Sequence, residues 1–224
     1  NIYKNINSMS KKTKETGSEI LILLESNYPE FQGGLKNYSS PFQLLVAAIL
    51  SAQSTDKQVN SITKELFTRY PDIESFSSAK LEEVEDAIAK VGLYRNKAKF
   101  IKEMSIKLIE HYDSKVPKTI EELIKLPGIG RKTANVLLND WFNIHEGIAV
   151  DTHVKRISFR LGLTKNTNPM KIEQDLMKII PSEKWGRITH LLISHGRSIC
   201  KAQKPKCDMC FLNSICPRKG VEDD

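Results

Sequence analysis

Apolar residues recur along this chain at spacings of three and four, which is the period of an amphipathic α-helix. No run alternates apolar and polar residues as a half-buried strand does. The pattern predicts helices over residues 17–26, 42–50, 57–70, 81–91, 96–112, 131–142 and 185–199. We therefore expect an all-α protein.

Capping residues place several helix boundaries. The segment 42–50 follows Pro41 and is apolar on nearly every side, which predicts a helix that is buried all round. Thr119 and Asp151 each precede a helical pattern and are residue types that favour the N-cap position. Asn168, followed by a proline, opens a further helix.

The chain has 224 residues, enough for one large or two small domains. Lys and Arg number 34 against 27 acidic residues, and the resulting net charge of +7 suits a nucleic-acid partner. The longest apolar run, 44–50, is far shorter than the roughly 20 residues of a membrane span. Residues 1–16 show no apolar period and predict a flexible tail, with Asn1 or Met9 as the natural start.

All four cysteines of the chain lie within 17 residues near its end, and they form a complete ligand set for one metal ion or one cubane iron–sulfur cluster: Cys200, Cys207, Cys210 and Cys216. Spacings this short, without a signal peptide, disfavour disulfides and indicate a reducing, intracellular compartment. Zinc sites usually pair cysteines two to four residues apart, which the longer gaps here fit poorly. On spacing alone, zinc and iron–sulfur both stay open.

Two basic segments indicate where an anionic polymer would bind. The loop between the first two cysteines carries Lys201, Lys204 and Lys206 and no acidic residue. The segment 126–132 reads Leu-Pro-Gly-Ile-Gly-Arg-Lys and predicts a tight hairpin between two helices. Its glycines allow a sharp turn, and the free N–H groups that begin the second helix can bind a phosphate.

The hairpin also contains a candidate nucleophile. Arg131 and Lys132 place positive charge at a helix start, where cations are unfavourable, and this indicates function. The same setting favours a neutral amine at Lys132, which could form a Schiff base with an aldehyde-like carbon. A phosphate contact is the commoner role for such a lysine. Asp151 could stabilise a cationic sugar while it caps its helix.

Together these residues closely resemble the endonuclease III family of DNA base-excision glycosylases, over about residues 18–217. The likeness rests on five motifs: Leu50-Ser-Ala-Gln-Ser-Thr-Asp56, Val91-Gly-Leu-Tyr94, Leu126-Pro-Gly-Ile-Gly-Arg-Lys-Thr-Ala-Asn135, Val150-Asp-Thr-His153 and the cysteine pattern C-x6-C-x2-C-x5-C. The resemblance implies a two-lobed helix-hairpin-helix glycosylase fold. Residues 35–146 would form a six-helix barrel, and 17–34 with 147–224 a lobe whose four cysteines hold a [4Fe-4S] cluster.

The resemblance also implies the reaction. Lys132 would attack C1′ of an oxidised pyrimidine nucleotide in duplex DNA with help from Asp151, and β-elimination would then cut the strand 3′ to the lesion. Gln53 and Leu93 would fill the stack that the extruded nucleotide leaves. The hairpin and the lysine loop would bind DNA through Gly128, Gly130, Arg131, Lys201, Lys204 and Lys206. Four residues match pocket-side positions: Ser51, Asp56, Thr133 and His153.

One position departs from the family pattern, since Ile124 stands where relatives often carry a carboxylate thought to move protons. Three alternatives remain: a monofunctional adenine glycosylase, which lacks the lysine; a noncatalytic DNA-binding protein; and a zinc module. We expect a monomer that acts on damaged or abasic duplex DNA without a membrane partner. It would lie in the cytoplasm or nucleoid of a bacterium, or in the nucleus or an organelle of a eukaryote.

Overall fold

The computed structural model of the chain describes residues 11–29 and 34–221. These ranges contain eleven α-helices and no β-strand, which confirms the all-α prediction. The helices are α1 (Lys11–Asn27), α2 (Pro41–Ser51), α3 (Asp56–Arg69), α4 (Ile73–Ser78), α5 (Leu81–Ala87), α6 (Tyr94–Tyr112), α7 (Ile120–Leu123), α8 (Arg131–Asp140), α9 (Thr152–Arg160), α10 (Pro169–Met177) and α11 (Trp185–Ser198). Short 3₁₀ helices span Ser182–Lys184 and Cys207–Met209.

The helices divide into two compact units. The central unit, residues 33–146, contains α2 to α8. The terminal unit is discontinuous in sequence, because α1 joins α9, α10 and α11 from the region that begins at residue 147. Each unit has a hydrophobic core of its own.

Helix α2 forms the centre of the central unit. Ser40 caps it by accepting a hydrogen bond from the N–H of Gln43 at 3.1 Å, and Pro41 occupies its first turn. Helices α3, α6 and α8 pack around it. Eight of its eleven residues are buried, which confirms the prediction of a helix enclosed on all sides.

Helix α4 was not predicted. Asp72 accepts a hydrogen bond from the N–H of Ser75 at 2.8 Å, and the Ser75 hydroxyl accepts one from the N–H of Asp72, so the two residues form a capping box. Ile73 and Phe76 bury the inner side of this short helix, which packs along α6. Six residues are too few to show a helical period, so only the capping pair could have indicated it.

Helix α1 packs against α11 in the terminal unit. Its apolar face buries Ile20, Leu21 and Leu24. The Lys184 ammonium lies 2.7 Å from the Glu25 carboxylate and adds a polar contact to the same pairing. The core of the unit continues between α9, α10 and α11.

The start of α1 corrects one prediction. The helix begins at Lys11, six residues before the predicted start at Gly17, so residues 11–16 are helical and do not belong to a tail. These residues are polar and show no period, but lysine and glutamate favour helix strongly enough to extend an amphipathic segment. Residues 1–10 of the predicted tail lie outside the described residues.

None of the helices in the described part of the chain is long and apolar enough to span a membrane.

Candidate active site and cysteine loop

The predicted hairpin joins α7 to α8 in the central unit. Thr119 caps α7, since its hydroxyl accepts a hydrogen bond from the N–H of Glu122 at 3.4 Å and donates one to the Glu122 carboxylate at 3.0 Å. Ile124 ends α7 and is 48% exposed. The position where relatives often carry a carboxylate therefore holds an exposed apolar side chain here, and Glu122 is occupied in capping.

The two glycines of the hairpin serve different purposes. Gly128 has a φ of +77°, and a Cβ at this position would lie 3.0 Å from Cβ of Phe100 and 3.3 Å from Cδ1 of Ile49. Both the backbone and the packing against α2 and α6 therefore require glycine. Gly130 has an extended backbone, and a Cβ there would meet no atom within 4 Å. The protein itself does not require glycine at this second position.

Helix α8 begins directly after Gly130, which has no side chain that could cap it. Its first turn carries Arg131, Lys132 and Thr133. The Lys132 side chain is exposed, whereas its two neighbours are half-buried. The amine is therefore presented at the surface of the hairpin.

Asp151 caps α9 in the terminal unit, as predicted. Its carboxylate accepts a hydrogen bond from the N–H of Val154 at 2.8 Å. Asp151 is half-buried.

Gln53 and Leu93 share an unusual backbone conformation. Gln53 lies in the loop 52–55 with a φ of +55°, and Leu93 ends the loop 88–93 with a φ of +57°. Left-handed backbone is uncommon for residues with a side chain and concentrates at functional sites. Both side chains are exposed, and 58% of the Leu93 surface is accessible. A leucine held outward at a conformational cost indicates a binding role.

The four pocket-side candidates are divided between the units. In the central unit, the Ser51 hydroxyl donates to the carbonyl of Ala48 at 2.9 Å, and Asp56 packs so closely on Gly34 that a Cβ there would overlap its carboxylate. Thr133 lies in the first turn of α8. In the terminal unit, Nδ1 of His153 lies 3.2 Å from Nη2 of Arg156, and the ring packs against α11.

The four cysteines line one cavity in the terminal unit, together with residues of α9 and α11. The cavity contains about 400 Å³ of empty space, open solvent included. Burial, with a smaller contribution from the other cysteines, raises the pKa of the Cys210 and Cys216 thiols. Thiolates crowded in this way need a positively charged centre to stay ionised.

The donor set at this cavity fits a cubane cluster. A tetrahedral zinc site holds each sulfur about 2.3 Å from the metal, so its ligands converge on one point. Within the described residues no three His, Cys, Asp or Glu side chains converge closely enough to hold one ion. The four cysteines that line this cavity supply one ligand for each iron of a cubane cluster.

Two arginines whose role was not predicted from the sequence bind the cysteine loop, residues 200–216, to α9. Arg156 donates to the carbonyl of Cys200 at 2.9 Å. Arg160, four residues further along the helix, donates to the carbonyl of Lys201 at 2.6 Å and lies 3.4 Å from Sγ of Cys200. The exposed Lys201, Lys204 and Lys206 project from the loop that these bonds support.

A buried histidine lies beside the same cavity. The His195 ring is 2% exposed, and burial lowers its pKa to about 4, so it is neutral at pH 7. Its Nδ1 lies 3.1 Å from the Tyr28 hydroxyl, and its Nε2 lies 3.6 Å from Sγ of Cys210. The histidine therefore connects α1 to a cysteine of the loop through hydrogen bonds.

Comparison with known proteins defines the class. Residues 46–182, more than half of the chain, match the family model of HhH-GPD superfamily base excision DNA repair proteins. Residues 200–216 match the iron–sulfur binding domain of endonuclease III, from the first cysteine to the last. The fold and the hairpin thus belong to a base excision repair protein with a helix-hairpin-helix motif.

Individual relatives identify the family within this class of repair proteins. The chain is 49% identical to endonuclease III of Synechocystis sp. over 91% of its length and 93% of the relative's, and 47% identical to that of Bacillus subtilis over 84% and 85%. A solved structure of a trapped endonuclease III–DNA covalent intermediate is 43% identical, with a TM-score of 0.86 over 92% of this chain and 96% of that one. The chain belongs to the endonuclease III family.

Membership confirms the resemblance found in the sequence. The protein is a DNA glycosylase and abasic-site lyase of base excision repair, and its cofactor is a [4Fe-4S] cluster. The zinc alternative is wrong, because the cysteine segment matches an iron–sulfur domain over its whole span.

The contrast between the two glycines yields a test of the hairpin geometry. We expect Gly128→Ala to lower the free energy of unfolding by about 1–3 kcal/mol, because alanine resists a positive φ and its Cβ meets Phe100. The matched control Gly130→Ala changes only the N-cap and should cost about 1 kcal/mol or less. Chemical denaturation of both variants measures the difference. Equal losses would contradict the assignment of the strained position to Gly128.

Proposed function

We propose that the chain removes oxidised pyrimidines from duplex DNA and cuts the strand through a Schiff base on Lys132. The observation that carries this assignment is an exposed lysine in the first turn of an uncapped helix, directly after a Pro-Gly-Ile-Gly turn. A positive helix end and adjacent cations bind the DNA backbone at the point where the amine is presented.

The hairpin positions the phosphate. Without a side chain at Gly130, a phosphate oxygen can approach the N–H groups that begin α8. Arg131 adds a cation in the same turn. These contacts are independent of sequence, so they hold the duplex while the target nucleotide is extruded.

The chemistry follows from the amine. The neutral Nζ of Lys132 attacks C1′ of the extruded nucleotide, and the glycosidic bond breaks as the base departs with the electron pair and takes up a proton. Opening of the sugar ring gives an iminium ion, which makes the C2′ hydrogens acidic. Loss of a C2′ proton forms a C2′–C3′ double bond as the C3′–O bond breaks, and water then hydrolyses the imine to release the lysine.

Asp151 assists this step electrostatically. Its carboxylate is fixed by the backbone of α9, so it can stabilise positive charge on the sugar and take a proton from the attacking amine. A cap fixed in this way needs no reorganisation during the reaction.

Gln53 and Leu93 fill the vacated stack. Both are exposed at the tips of loops with left-handed backbone, and they belong to the same unit as the hairpin. Insertion of side chains between bases offsets the cost of unstacking the extruded nucleotide. Ser51, Asp56 and Thr133 of the central unit and His153 of the terminal unit would contact the extruded base.

The four cysteines hold the cluster as its ligands. When bound, the cluster would cross-link the loop that follows α11. Side chains of the protein support the same loop and present it to DNA. Arg156 and Arg160 fix the loop carbonyls to α9, and the three loop lysines meet the phosphate backbone. We propose that the enzyme is a monomer. It would act in an intracellular, reducing compartment, where cysteine ligands stay reduced and genomic DNA is present.

The lysine assignment can be tested by borohydride trapping. Lys132→Ala should abolish the covalent adduct on duplex DNA that contains an abasic site, because the imine nitrogen is gone. Lys125→Ala is a matched control, since it removes another exposed lysine from the same hairpin. An undiminished adduct with Lys132→Ala, or none with the unmodified protein, would refute the lyase assignment.

The substitution Asp151→Asn can separate the capping role of Asp151 from its proposed electrostatic role. Asn caps helices about as well as Asp, so Asp151→Asn should leave the free energy of unfolding within about 0.5 kcal/mol. The single-turnover rate of base release should nevertheless fall by about 10²- to 10⁴-fold, because the negative charge is lost. Asp151→Ala should lose a similar rate and about 1 kcal/mol of stability as well. Full activity of Asp151→Asn would show that the residue is only a cap.

The lysine loop should determine part of the salt dependence of DNA binding. Replacing Lys201, Lys204 and Lys206 by Gln should reduce the slope of log K against log salt by about 0.9 for each phosphate that the loop no longer neutralises. Titrations at several salt concentrations measure this slope. A control with the same net charge replaces three exposed lysines elsewhere, namely Lys14, Lys64 and Lys171. If both variants show the same slope, the loop does not contact the backbone.

A further inference from the structure

A single buried lysine touches both loops that carry the candidate stack-filling residues. Lys97 of α6 is only 4% exposed. Its ammonium donates to the carbonyl of Leu50 at 2.9 Å and to the hydroxyl of Ser54 at 3.1 Å. Its backbone N–H donates to the carbonyl of Leu93 at 3.1 Å.

These bonds bracket Gln53 in sequence. Leu50 lies three residues before it and Ser54 one residue after it, so the ammonium binds a backbone carbonyl on one side of the left-handed residue and a side-chain hydroxyl on the other. Leu93 is the N-cap of α6, and its carbonyl accepts the helical hydrogen bond from Lys97. The loop 52–55 and the tip of the loop 88–93 are therefore connected through one side chain and one amide.

Two further contacts hold the loop 88–93 near this segment, one from α3 and one from the loop 52–55. The Gln58 amide of α3 donates to the carbonyl of Lys90. A Cβ at Gly92 would lie 3.9 Å from the carbonyl oxygen of Gln53, so the two backbones lie close together at this point. With the Lys97 bonds, they make the two loops one assembly.

The chemistry of Lys97 does not suit a purely structural role. Burial lowers the pKa of its ammonium, and both acceptors of its side chain are neutral oxygens. Burying a cation without a carboxylate is costly, and an apolar side chain of the same length would fill the space without that penalty. The favourable partner of the Lys97 ammonium is the C-terminus of α2, where the helix dipole is negative. Gln53 follows directly after this helix end.

We propose that Lys97 is a positioning residue that fixes the spacing between Gln53 and Leu93, so that both side chains enter the vacated base stack together. Left-handed backbone at two adjacent tips relaxes unless the surrounding contacts hold it. Lys97 supplies those contacts from the helix that Leu93 begins. The inference rests on the proposed role of Gln53 and Leu93 in the stack.

The test uses Lys97→Met, which keeps the length of the side chain and removes its donors. Lys102→Met is the matched control, because Lys102 lies on the same helix and also donates its ammonium to backbone carbonyls, those of Ser77 and Ala79, away from both loops. Ser54→Ala removes one acceptor at the loop itself and serves as a milder second variant if Lys97→Met does not fold.

Two substrates separate positioning from chemistry. The first is duplex DNA with a paired oxidised pyrimidine, which must be unstacked, and the readout is the single-turnover rate of base release. The second is an abasic site in a one-nucleotide bulge, with no base to unpair, and the readout is borohydride trapping. We expect Lys97→Met to slow the first reaction by about 10- to 100-fold, as small misplacements do, and to change the second less than about twofold.

The control and the milder variant complete the expectation. Lys102→Met should leave both readouts unchanged, and Ser54→Ala should slow only the paired substrate, by less than Lys97→Met. In a double-mutant cycle, Gln53→Ala should remove most of the effect of Lys97→Met, since the ammonium acts through the loop that carries Gln53.

The inference is overturned if Lys97→Met matches Lys102→Met on the paired lesion, or if it loses trapping at the bulge as strongly as base release. Other results would instead refute the proposed function on which this inference rests. If the unmodified protein traps no adduct at the bulge, the Schiff base is wrong. If Gln53→Ala and Leu93→Ala leave base release from the paired substrate unchanged, their role in the stack is wrong.

Discussion

An all-helical protein must satisfy the N–H and C=O groups that every helix leaves unpaired at its ends, and the functional parts of this chain are built on how it does so. The N-terminus of α8 after Gly130 has no side-chain cap. Asp151 closes the N-terminus of α9. Near the C-terminus of α2 a carbonyl binds Lys97, and just beyond α11 a carbonyl binds Arg156. Helix ends thus supply the proposed phosphate site, the fixed carboxylate and the support for the two loops that we propose to bind DNA.

This arrangement separates chemistry from scaffolding. The candidate nucleophile is exposed in the free protein, whereas Lys97 in the same unit and Arg160 in the terminal unit are buried cations bonded to carbonyl oxygens. Arg160 and Lys97 are both under 10% exposed and act on neighbouring backbone. The cluster belongs with them as a cross-link, because its cysteines follow α11 and its loop is fixed to the helix that Asp151 caps.

The sequence predicted those features that depend on side-chain type. Helix α2 was evident because its residues are apolar on every side, and Asp151 because a carboxylate before a helical period is an N-cap. Lys132 and the cysteines were found through motif and spacing. The structural roles of Arg156, Arg160 and Lys97 were not, because their partners are backbone carbonyls, which every residue possesses and no pattern distinguishes. Helix α4 was missed for lack of length.

The discontinuous core of the terminal unit bears on how the chain matures during synthesis. Helix α1 emerges from the ribosome first, yet the surface that covers Ile20 and Leu24 belongs to α11, which is made more than 150 residues later. The central unit is continuous and can fold in the interval. The apolar stripe of α1 therefore stays exposed until α11 has been synthesised. The cysteines are synthesised after α11. Nascent chains interrupted before that point would expose this stripe, which makes them substrates for chaperones and proteases.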